Sequence, residues 1–133
     1  MAVDYGVRRI GLAVSDESES LALAYGVTDG IEGVVRAARE AGAGALVVGL
    51  PLNMDGSMGS AARKARRFAE ELKGLTGLAV ELFDERLTSD EAKRRLAGAP
   101  LKRSRKREQV NVVAAQIILE GYLGERRRIS GRG

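Results

Sequence analysis

The 133 residues are 44% hydrophobic and contain no run of the roughly 20 apolar residues that a membrane crossing needs, which suits one compact α/β domain with a real core and no second domain. Cysteine and histidine are both absent, excluding disulfides, thiolate or imidazole metal sites and histidine acid–base chemistry, so any catalysis rests on carboxylates, hydroxyls or amines. The formal charge is +4, with Lys102, Arg103, Arg105, Lys106 and Arg107 in one cluster and Arg126, Arg127, Arg128 and Arg132 in another. Such clusters suit a polyanionic partner, and an aromatic content of only 4% argues against a base-stacking platform. No secretory segment is visible, so a cytoplasmic protein without membrane contact is expected.

Met1 to Asp4 and Arg9 to Ser15 read as two strands around a polar turn, and Leu21 to Val27 as a third, which together imply an antiparallel meander. Asp29 is a candidate N-cap for a helix whose Ile31, Val34, Val35 and Ala38 keep helical spacing, with Gly42 as its stop. Ala45 to Leu50 is a continuous apolar run ended by Pro51, as expected of a strand buried on both faces. The next helix spans Met58 to Lys73. It puts Met58, Ala61, Ala62, Ala65, Phe68, Ala69 and Leu72 on one stripe, with Arg63, Lys64, Arg66 and Arg67 largely on the other. Leu78 to Phe83 is a short strand. Thr88 and Glu91 suggest a capping box for a helix through Leu96. The basic segment after Pro100 reads as a loop, Val110 to Leu119 as a helix apolar almost all round that packs on the sheet, and residues 125–133 as a disordered basic tail.

Three places could carry chemistry. Asp4 ends the first strand beside a tight turn, where it is either a metal ligand or an Asx-type cap. Arg8 and Arg9 in that turn are either surface charges or phosphate contacts. Asp84-Glu85-Arg86 leaves a strand at its carboxyl edge, and alternation lets only one of the two acids join Asp4. Glu85 could equally pair with Arg86. The loop Gly49 to Gly56 enters a helix near Ser57, so its N–H groups and the Asn53 amide could meet an anion, or its Pro, Asn and Gly could simply shape the connection.

Together these segments are distinctive. Asp4-Tyr5-Gly6 with Arg9-Ile10-Gly11-Leu12-Ala13-Val14-Ser15, Val48 to Gly56, Asp84-Glu85-Arg86-Leu87-Thr88, and Val112 to Leu119 resemble, in order and over nearly the whole chain, the signatures of the YqgF/RuvX family. The resemblance implies an α/β, ribonuclease H-like fold over residues 1–124: a mixed five-stranded sheet, three strands in an antiparallel meander plus two parallel strands, flanked by helices. It further implies a two-metal nuclease that matures the 5′ end of pre-16S rRNA or resolves Holliday junctions. The family's first two acids fall on Asp4 and Glu85, and the third falls on Asn111, a departure from its pattern.

Two Mg²⁺ or Mn²⁺ ions about 4 Å apart would hold the scissile phosphate, with Asp4, Glu85 and Asn111 as catalytic metal ligands. The amide keeps one oxygen but removes a negative charge, so one ion is expected to be weakly held; alternatively Asn111 is a structural hydrogen-bonding group. Arg8, Arg9, Asn53, Arg86, Lys102, Arg103, Arg105, Lys106 and Arg107 are the expected nucleic-acid contacts, to structured RNA or branched DNA. Junction cleavage would call for a symmetric homodimer presenting two sites. Two other readings remain: a nucleic-acid-binding module weakened by loss of the third acid, and an ATP-binding protein of the actin and sugar-kinase class, which would need two such domains.

Overall fold

The computed structural model describes residues 1–6, 8–86, 88–97 and 103–130, and gives side-chain surroundings for all of these except 88–90, 93, 103–107 and 129–130. The elements run β1 (Ala2–Asp4), β2 (Ile10–Ser15), β3 (Ala22–Thr28), α1 (Ile31–Ala41), β4 (Ala45–Leu50), α2 (Ser60–Thr76), β5 (Ala79–Asp84), α3 (Thr88–Leu96) and α4 (Arg103–Ser130). The five strands form one sheet in the order β3-β2-β1-β4-β5. β1, β2 and β3 pair antiparallel, while β1–β4 and β4–β5 are parallel. This is the mixed α/β sheet of a ribonuclease H-like fold.

Alternation along the strands sorts the core into two layers. Val3, Leu12 and Val48 face α1 and α2 and pack with Val34, Ala38, Phe68 and Leu72. Ala2, Ala13 and Val47 face the other way, against Ala115, Ile118 and Leu119 of α4. The first layer holds the larger residues, each worth about 1.5–3 kcal/mol when fully buried. The second is built of small ones, so α4 lies close to the strands.

Three local expectations change. The N-cap of α1 is Gly30, without a side-chain cap, instead of Asp29; its C-cap is Gly42 in the left-handed region, as expected from the sequence. Glu91 holds Arg94 at 2.7 Å and Arg95 at 3.3 Å; the capping box expected of it with Thr88 falls on a side chain outside the described residues. The basic stretch read as a loop is helical from Arg103, and α4 continues through 125–130, where a disordered tail was expected. Burial explains the long helix: its sheet-facing side stays apolar from Val112 to Leu123, so packing supports it beyond what propensity would.

Candidate active site

β1 lies in the middle of the sheet, so its last residue opens onto the edge where the parallel strands end. Tyr5 stacks on Phe68 of α2 with ring centroids 4.4 Å apart. That contact fixes the chain just past the strand, and alternation leaves Asp4 facing α4. Its neighbours on both sides are glycines. Asp4 pairs directly with Gly11 on β2, and the register Val3↔Val48 brings it level with Gly49 on β4.

Neither glycine could carry a side chain unless its neighbours moved. A Cβ on Gly11 would overlap the Asn111 carbonyl of α4, which presses on the strand at that point. A Cβ on Gly49 would stand 2.5 Å from Glu85 Oε2 and 2.6 Å from Ile118 Cδ1. Glu85, held by its N–H to the Leu50 carbonyl at 3.1 Å just past β5, therefore reaches across β4 through the space that Gly49 leaves open. At the far side it meets Asp4.

The two carboxyls hydrogen-bond one another. Burial raises Asp4 to about 6, against the lowering effect of that bond. Burial, then the charge of Asp4 and the bond to it, push Glu85 up to about 9. Near neutral pH the pair thus retains one proton between its two carboxyls, because two adjacent carboxylates in a poorly solvated cleft repel each other. Asp84 is not a member of the pair, though its charge adds to the raising of Glu85. It points away and binds Arg86, with Nη2–Oδ2 at 2.8 Å and Nε–Oδ2 at 2.9 Å, and Arg86 holds Asp84 well below the usual carboxylate range. Arg86 Nη1 also donates to the Met54 carbonyl at 3.3 Å, tying the loop after β4 to the turn that carries Glu85.

The shared proton makes stability depend on pH. Near pH 4 and below, the carboxyls are protonated in folded and unfolded chains alike. The unfolded chain releases both protons as pH passes about 4, whereas the folded chain keeps them until about 6 and about 9. Folding takes up protons in that window, so stability should fall as pH rises through it. Thermal melting of metal-free protein between pH 4 and 9 checks this; a melting temperature that rises with pH would contradict it.

Comparison with known proteins gives the same chain a lineage. The family described as "RuvX: Holliday junction resolvase" matches residues 1–125. A protein of Anaeromyxobacter sp. (strain K) named "Putative pre-16S rRNA nuclease" is 44% identical over 132 residues, covering 95% of this chain and 96% of its own length. Proteins with the same name from Chloroflexus aurantiacus (strain ATCC 29366 / DSM 635 / J-10-fl) and Myxococcus xanthus are 41% and 42% identical, covering 96% of this chain and 87% and 88% of their own lengths. The chain belongs to the RuvX family.

Of the residues singled out from the RuvX resemblance, the structure joins Asp4 and Glu85. It seats the backbone of Asn111 on Gly11, one strand from Asp4. Among the described residues no group of three or more acids is placed to hold a metal ion. Arg9 lies 3.9 Å from Glu108 in an exposed ion pair, and Arg8 is exposed. Asn53 is used inside its own loop: its Nδ2 donates to Ser57 Oγ at 2.9 Å and its side chain packs on Gly59. Arg103, Arg105, Lys106 and Arg107 fall in the first turns of α4 with side chains outside the described set, and Lys102 lies outside the described residues. Sequence reasoning gave Gly11 and Gly49 no role. Glycine in the interior of a strand is the signal that marks a close approach.

Proposed function

We propose that this chain is a divalent-metal-dependent nuclease that hydrolyses a phosphodiester in pre-16S rRNA, maturing its 5′ end in the cytoplasm. The observation that carries the reading is the meeting of Asp4 and Glu85 at the carboxyl edge of the sheet, across the space that Gly49 leaves open. The names of its relatives supply the substrate.

The donor set fits a hard divalent cation. Two carboxylates offer oxygens only, and a cation relieves the repulsion that otherwise retains a proton. Asp4 and Glu85 would hold it, with the Asn111 amide oxygen as a weak third ligand and a second ion held mainly by substrate. When bound, Mg²⁺ or Mn²⁺ supplies Lewis acidity toward water and the scissile phosphate. The remaining work falls to this chain's own residues. The carboxyl pair gives up its shared proton as the ion is taken up, so affinity should tighten with pH. Gly49 and Gly11 keep the carboxyls and α4 in register, and Asp84 with Arg86 fixes the turn from which Glu85 projects.

Incubating the protein with pre-16S rRNA, four-way DNA junctions and plain duplexes, each in Mg²⁺ and in Mn²⁺, tests the reading. Cleavage of the RNA supports it; selective junction cleavage by a dimer would transfer it to the resolvase activity named in the family description. Binding without cleavage in either metal would leave a nucleic-acid-binding module.

The third position gives a separate expectation. Asn111→Asp adds a carboxylate to the pair and should tighten Mg²⁺ binding about tenfold or more, on the scale of about 10–100-fold that ligand-orienting changes produce. Titration calorimetry measures it. Unchanged affinity would assign Asn111 to structure.

A further inference from the structure

A strongly charged surface on α2 is not used by the site described above. Arg63, Lys64, Arg66 and Arg67 are all exposed and have no acid among them; the first acids of the helix are Glu70 and Glu71. Helix stability does not account for this placement. The first turns of a helix favour acids because the macrodipole is positive there, yet α2 has none in its first turn and carries its cations toward that end. Among the described residues, none of the four is seen in an ion pair, whereas Arg86, Arg94, Arg95 and Arg126 are.

The charge is also continuous with the active-site edge. The chain enters α2 directly from the loop after β4. Arg63 Nη1 donates to the Met58 carbonyl of that loop at 3.1 Å, and Arg86 Nη1 donates to the Met54 carbonyl at 3.3 Å from the turn that carries Glu85. The loop is bracketed by two guanidinium groups. Among the described residues, cations outside any ion pair therefore begin at Arg63, where the loop enters α2, and continue over its outer face, on the side of the sheet opposite α4, while Arg86 on the loop's other flank is held by Asp84.

We propose that this face of α2 is a backbone track that binds the phosphodiesters of the nucleic acid away from the cleavage position. Arg63 and Arg67 stand one turn apart and form its centre. Three of the four cations are arginine, whose planar fork suits bidentate contact with phosphate oxygens. The stretch 63–67 contains no aromatic residue, so the track reads charge and shape and not base identity. The proposal rests on the nuclease reading for its occupant and adds a surface to it.

The test is binding of a fluorescein-labelled pre-16S RNA fragment, followed by anisotropy from about 50 to 200 mM salt without divalent ions. Two variants with equal change in charge are compared, R63Q/R67Q and R36Q/R39Q. The second pair is exposed on α1, whose end leads into β4 at the edge of the sheet away from Leu50. The track predicts that R63Q/R67Q lowers the slope of log Kd against log salt by about 0.7 per lost contact, about 1.4 in all, and weakens binding about tenfold at 150 mM salt. R36Q/R39Q should keep the wild-type slope. An R63Q/R67Q variant with wild-type circular dichroism and an unchanged slope would overturn the track, as would equal losses in both variants, which would reduce the effect to net charge; either leaves the nuclease reading standing. Wild-type protein that binds no RNA at any salt overturns the nuclease reading itself, and the track with it.

Discussion

Glu85→Gln should lower divalent-ion-dependent cleavage by about 10²–10³-fold or more, the scale of losing one electrostatic partner of a transition state, with RNA binding retained. The amide cannot ionise, so the charge that would displace the shared proton in favour of a cation is gone. Asp4→Asn should act in the same direction. The same substitutions should make metal-free protein more stable at alkaline pH. In the wild type, folding above pH 7 confines an ionised Asp4 beside a carboxyl that would otherwise ionise in water; the amide removes that cost, a gain on the order of 1–2 kcal/mol and a few degrees in Tm. Single-turnover cleavage and melting at pH 8 on one preparation measure both effects. Cleavage within tenfold of wild type in Glu85→Gln would exclude this carboxyl from the chemistry. Lost activity accompanied by a lower Tm would point to a damaged fold.

The second large effect concerns the glycines that flank Asp4, which are expected to fail in different ways. In Gly49→Ala the new Cβ meets the ends of two side chains, Glu85 Oε2 at 2.5 Å and Ile118 Cδ1 at 2.6 Å, and both can rotate aside. The stability cost should stay within the usual overpacking range of about 1–3 kcal/mol. Moving Glu85 away from Asp4, however, should weaken Mn²⁺ binding and cleavage by about 10–100-fold, as for loss of a group that orients a ligand. In Gly11→Ala the obstacle is the backbone of α4 at Asn111 and Val112, which yields only if the whole helix moves. That cost should reach or exceed the top of the same range of about 1–3 kcal/mol. Gly74→Ala is the control, because nothing lies within 4 Å of its added carbon; inside α2 it should stabilise by about 0.5–1 kcal/mol. Urea unfolding and Mn²⁺ titration of the three variants distinguish the cases. A Gly49→Ala protein with full metal affinity would remove the corridor from the account.

Several of these features are legible without coordinates because they are local. The apolar run Ala45 to Leu50 ending at Pro51, the helical spacing in α1 and α2, and the order of elements follow from periodicity and turn residues. Alternation also lets only one of Asp84 and Glu85 join Asp4, and the structure brings Glu85 there while Asp84, instead of Glu85, pairs with Arg86. Boundaries are less secure where burial competes with local signals. Residues 103–107 and 125–130 have the polar, basic composition of a loop or tail, yet they extend a helix whose middle is held by the sheet.

The sequence by itself determined the fold class, the family and the two acids, since each depends on residue type and short-range spacing. Only the tertiary structure decided how those acids meet. β1 and β5 are not neighbours, and Glu85 reaches Asp4 only because β4 lies between them with a glycine at the crossing point. The closeness of α4 to Gly11 and the bond from Arg86 to the Met54 carbonyl likewise depend on packing between segments distant in sequence. Spacing along the chain carries no record of such distances; strand order and the excluded volume of side chains set them.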